Sequence, residues 1–74
     1  MNNDLKAALA DYEFWRTSSE DWAKWLVEDL KNWRKEGTKE AADEVDSTLA
    51  NLKYATAEAM KWMKKVQELN KKAA

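Results

Sequence analysis

Residues 32–44, NWRKEGTKEAADE, hold the only glycine of a 74-residue chain that has no proline. Arg34 and Lys35 suit the negative end of a helix, and Gly37, lacking a Cβ, suits the left-handed position just past that end. The Thr38 hydroxyl can accept a backbone N–H of the following turn. Glu40, Asp43 and Glu44 would then lie near a new helix's positive end. One helix is expected to stop here and another to start.

Downstream of Gly37 no second break stands out. Val45, Leu49, Leu52, Thr56, Ala59, Met63 and Val66 recur at 4-3-4-3-4-3 spacing, with Leu69 three further on, which keeps them on one face of a helix over residues 38–71. At 1.5 Å per residue such a helix is about 50 Å long. Asp46, Ser47 and Thr48 can loosen it by competing for backbone hydrogen bonds. Upstream, Leu5, Ala8, Tyr12, Trp15, Ser19, Trp22, Leu26, Asp29 and Trp33 form a matching stripe. RTSSEDW, residues 16–22, interrupts it with a capping-box pattern, Thr17 with Glu20 or Ser18 with Asp21. The elements expected within one domain, residues 1–74, are therefore helices over 3–16, 18–35 and 38–71, the first two in line. The favoured fold is all-α: an antiparallel helical hairpin, its first helix open to a break at 17–19, dimerising into a four-helix bundle. The alternative is a monomeric three-helix bundle, whose third helix would overhang the others.

A hairpin turning between Gly37 and Thr38 sets facing residues at numbers summing to about 75. Leu26 then meets Leu49, Tyr12 meets Met63, Trp33 meets Ala42, and the polar pair Ser19 and Thr56 shares a layer. Two helices alone bury too little for a stable core at this size, so a second copy is part of the expectation.

Composition narrows the function classes. The chain has no cysteine and no histidine, which removes disulfides and ordinary zinc, copper or haem ligation. Thirteen basic and fourteen acidic side chains give a net charge of −1, so no overall field favours nucleic acid or a membrane. The charge is uneven: residues 1–60 carry eight basic and thirteen acidic side chains, and residues 61–74 carry five and one. No signal peptide or membrane-spanning run is visible, and the chain reads as soluble with no compartment indicated. The many Ala, Lys and Glu fit a designed sequence, while the irregular Asn, Trp and Thr usage fits a natural one equally well.

Five tryptophans are the conspicuous side chains. Trp15, Trp22 and Trp33 fall within ~20° of one another on a helical wheel and read as core. Phe14, Ser18, Asp21 and Trp25 form an i, i+4, i+7, i+11 row to one side of them. Two structural readings compete with a partner-binding row there: packing at the dimer interface, or a kink near Ser18 that turns Phe14 inward. Exposed aromatics of this kind anchor protein interfaces, which makes these four the candidate partner-binding residues. Asp29, a carboxylate on the apolar stripe, has no histidine or phased second acid to work with. It reads as a register device or an edge ion pair, not as a general acid. No catalytic, cofactor or metal site is expected.

Three short resemblances remain. DEVDS, residues 43–47, resembles the tetrapeptide preferred by executioner caspases. Trp62, Val66 and Leu69 in the basic stretch KWMKKVQELNKK are similar in spacing to one class of calmodulin-binding helices. The hairpin plan resembles the small plasmid-copy-control RNA-binding proteins, in architecture alone. The expected function is a non-enzymatic structural or protein–protein interaction module that self-associates or binds a protein. The alternatives are a three-helix binder presenting the aromatic row, and a carrier of small apolar ligands lined by Tyr12, Trp15, Trp22 and Met63.

Overall fold

A computed structural model describes residues 3–73, with side chains described to residue 72. Helix α1 runs Asn3–Glu36 and helix α2 runs Lys39–Ala73, and the two pack against each other as an antiparallel hairpin. Its Cα envelope is 54 × 13 × 13 Å, a rod two helices wide.

The turn is built as its residues dictate. Gly37 has φ +64°, and its N–H donates to the Trp33 carbonyl at 2.8 Å, the single-bond left-handed cap of a helix C-terminus. Thr38 follows as N-cap: its Oγ1 accepts the Ala41 N–H at 3.1 Å, and its carbonyl accepts the Ala42 N–H at 3.1 Å. α2 therefore begins one residue after the expected Thr38, which caps the helix from outside it.

The break left open at 17–19 does not occur, and with it the three-helix alternative falls. α1 passes straight through Thr17, Ser18 and Ser19. A cap residue must leave helical geometry, and here that would interrupt a continuous stripe. Ser19 instead turns its hydroxyl to Thr56 Oγ1 across the hairpin, 2.8 Å away.

The stripe of α1 packs as its spacing predicts. Leu5, Ala8, Tyr12, Trp15, Ser19, Trp22, Leu26 and Asp29 are buried or half-buried. Trp33 is the exception at 45 % exposed. It sits in the last turn of α1, where the opening residues of α2 supply only the small side chains Ala41 and Ala42, too little to cover an indole.

The stripe of α2 is rotated from the expected one. Buried or half-buried are Ala41, Val45, Thr48, Leu52, Ala55, Ala59, Trp62, Val66 and Leu69, with Ala42 and Glu58 half-buried beside them. Thr48, Ala55 and Trp62 thus replace Leu49, Thr56 and Met63, each one residue earlier. The buried apolar set is mostly small, Ala8, Ala41, Val45, Ala55 and Leu69, and among the described residues no large side chain is fully buried; small residues at a helix contact allow close packing. Leu49 and Met63, too bulky for that gap, stay on its rim.

Candidate interaction surface

Two polar pairs fix the helices' register. The Thr48 hydroxyl, itself buried, donates to Asp29 Oδ2, and the Ser19–Thr56 bond lies three turns further along. Asp29 is therefore held by a threonine hydroxyl from the other helix, the register role expected for it, through a partner the sequence did not reveal.

Either side of this seam lies a flank contributed by both helices, and the two differ sharply. On one flank, α1 places the row Phe14, Ser18, Asp21 and Trp25. Phe14, Ser18 and Asp21 border one shallow depression, and Asp21 and Trp25 border the next, so the four residues form a continuous strip. Phe14 is 64 % exposed and Trp25 61 %. The unbroken helix leaves no kink to turn Phe14 inward.

Phe14 meets Trp15 edge to face at 5.1 Å and 87°, and Trp15 meets Tyr54 of α2 in the same manner at 5.5 Å and 79°. Such geometry sets the positive edge of one ring against the negative face of the next. Tyr54, absent from the sequence reading, completes this chain of rings. With α2 in its true phase Tyr54 flanks Ala55 and faces Trp15, so the correct phase was the signal that would have found it. The rest of this flank is polar, with Asp11, Asn32, Glu44, Asn51 and Lys65 at its seam-side positions.

The other flank is apolar. The helical wheel places Leu9, Ala23, Val27 and Leu30 of α1 beside Leu49, Met60 and Met63 of α2. All of them are exposed. Between the helices here lies a groove of about 240 Å³ bordered by Tyr12, Arg16, Ser19 and Glu20 of α1 and by Thr56, Ala59, Met60 and Met63 of α2. It unites two of the four residues of the carrier reading, Tyr12 and Met63, but neither Trp15 nor Trp22.

Arg16, the one basic residue along the groove, is clamped on its own helix. Its Nη2 donates to Glu13 at 2.9 Å and its Nη1 to Glu20 at 2.5 Å. The hydrogen bond and charge of Glu13, then the charge of Glu20, raise the guanidinium above its usual range. These contacts are solvated and lend little stability.

The remaining sequence features are absorbed by the helices. Trp62, Val66 and Leu69 are seam residues turned toward α1, and Lys61 Nζ stands 5.7 Å from the Trp62 ring centre. Residues 43–47 are helical with Val45 buried, whereas a protease cleft takes extended chain. Among the described residues no group of three or more His, Cys, Asp or Glu could hold a metal ion. Nor is any helix of the described residues long and apolar enough to cross a membrane. Compared with protein-family models, with curated proteins and with solved structures, the chain matches none.

Proposed function

We propose that this protein is a self-associating helical module: a non-enzymatic hairpin that works as half of a four-helix bundle and so as a structural or protein-interaction unit. The observation that carries this reading is the surface left bare. A compact chain of 8.6 kDa exposes about 4,700 Å². The hairpin exposes 5773 Å², and among the described residues no large side chain is fully buried. The surplus of roughly 1,000 Å² is near the ~800 Å² that each partner covers in a standard interface. The radius of gyration, 16.6 Å, likewise exceeds the ~11 Å of a compact domain of this length.

The polar side chains that meet between the helices, Asp29 with Thr48 and Ser19 with Thr56, bond to each other and serve register. This supports a non-enzymatic role. Mass action supplies the test: if association stabilises the fold, the thermal midpoint rises with protein concentration. A midpoint that stays constant from about 1 to 100 µM would overturn the reading.

A second reading, display of the aromatic strip to a different protein, draws on the exposure of Phe14, Trp25 and Tyr54. It uses the flank opposite the Tyr12–Met63 groove. The two are compatible.

A further inference from the structure

We infer that the partner copy docks on the apolar flank, with its ends reversed relative to the first. This rests on the self-association proposed above and adds which face is used and how the two rods are oriented. Three observations carry it.

The first is the contrast between flanks. Leu9, Val27, Leu30, Leu49, Met60 and Met63 share one side of the hairpin and are all exposed. The other side carries acids, amides and a lysine at the equivalent positions. Covering the first removes apolar area from water, whereas covering the second would strand polar groups. Arg16 is no obstacle, because Glu13 and Glu20 already satisfy its charge on its own helix.

The second is the placement of the apolar residues along the rod. Leu9 lies six residues from the start of α1 at Asn3, and Leu30 lies six from its end at Glu36. Leu49 lies ten residues after Lys39, and Met63 ten before Ala73. A copy rotated end for end about the rod's midpoint therefore sets Leu9 on Leu30 and Leu49 on Met63. A two-fold interface of this kind repeats the same contact on both copies.

The third is charge. The open end of the hairpin, residues 3–13 with 61–72, carries six basic and four acidic side chains. The turn end, residues 28–46, carries four basic and seven acidic ones, and the middle is balanced at three and three. Each rod is thus positive at one end and negative at the other. Reversed stacking joins unlike ends and aligned stacking joins like ends, so electrostatics selects the reversed pair.

The chain has no cysteine, so one introduced thiol labels it cleanly. With a nitroxide on Lys71→Cys, reversed rods place the two labels about a rod's length apart, near 50 Å, by pulsed electron–electron resonance. Aligned rods place them within the width of the bundle, about 20–30 Å, and that distance would overturn the orientation. The face is tested with Val27→Lys plus Met60→Lys, residues already 52 % and 62 % exposed and thus safe for the hairpin itself. The expected result is dimerisation weakened at least tenfold with helical content retained, while Trp25→Lys on the other flank leaves it unchanged. Undiminished pairing of the lysine variant, or loss of pairing in Trp25→Lys alone, overturns the face. A wild-type chain that remains at 8.6 kDa sinks the self-association reading itself, and is distinct from either result.

Discussion

The two flanks of the hairpin border the same seam yet are built for different surroundings. One gathers Leu9, Leu30, Leu49 and Met63 around a groove whose polar members, Arg16, Glu20, Ser19 and Thr56, are already paired with one another or with Glu13. The other interleaves Phe14, Trp25 and Tyr54 with acids, amides and a lysine. Their difference teaches that the residues between two helices need not be the most apolar ones. Ala8, Ala41, Thr48 and Ala55 occupy the seam because they let the backbones approach. Leu49 and Met63 of α2 are displaced to one flank, where with Leu9, Val27, Leu30 and Met60 they form a second layer that only another element can cover.

That contrast can be broken experimentally. The largest effect is expected from Leu30→Lys with Leu49→Lys, which removes two leucines from the apolar flank. Leu30 is 38 % and Leu49 36 % exposed in the hairpin, so a partner covers only that remainder. At about 0.5–1 kcal/mol for each of the four leucines in a dimer, dimerisation should weaken at least tenfold, measured by analytical ultracentrifugation. Next comes the seam. Ala55 is 1 % exposed, so Ala55→Leu should cost about 1–3 kcal/mol in chemical denaturation by forcing the helices apart. The same change at exposed Ala57 should stay within about 0.5 kcal/mol.

Asp29→Ala strands the buried Thr48 hydroxyl and should cost about 1–3 kcal/mol. Adding Thr48→Val to it should recover most of that loss, because removing both partners leaves no polar group unpaired. The smallest effect belongs to the aromatic flank. Trp25→Ala should change stability and association by no more than about 0.5 kcal/mol, and a larger loss of association would move the interface to that side.

Much of the fold was legible in the sequence. Gly37 followed by Thr38 located the turn because the left-handed cap and the hydroxyl cap each demand a particular residue. The α1 stripe was readable because its large residues, Tyr12, Trp15, Trp22 and Leu26, do face α2. Facing numbers that sum to 75 set Ser19 opposite Thr56, and the two hydroxyls do bond. The phase of α2 was not legible. Counting hydrophobicity favours Leu49 and Met63 over Thr48 and Ala55, whereas close approach favours the smaller pair, and Asp29 draws Thr48 inward. Trp33 is in phase with the stripe yet 45 % exposed, because periodicity carries no end effect and the last turn has little opposite it.

Continuity through Thr17–Ser19 was obscured by a capping signature whose hydroxyls have another use. The candidate strip Phe14, Ser18, Asp21 and Trp25 emerged contiguous, and Tyr54 was hidden by the misplaced phase.

The central claim is that one hairpin is half of the working unit. Sedimentation equilibrium on the unmodified chain at micromolar concentration tests it most directly. The account predicts a mass of twice 8.6 kDa. A single species that stays at 8.6 kDa as concentration rises would contradict it.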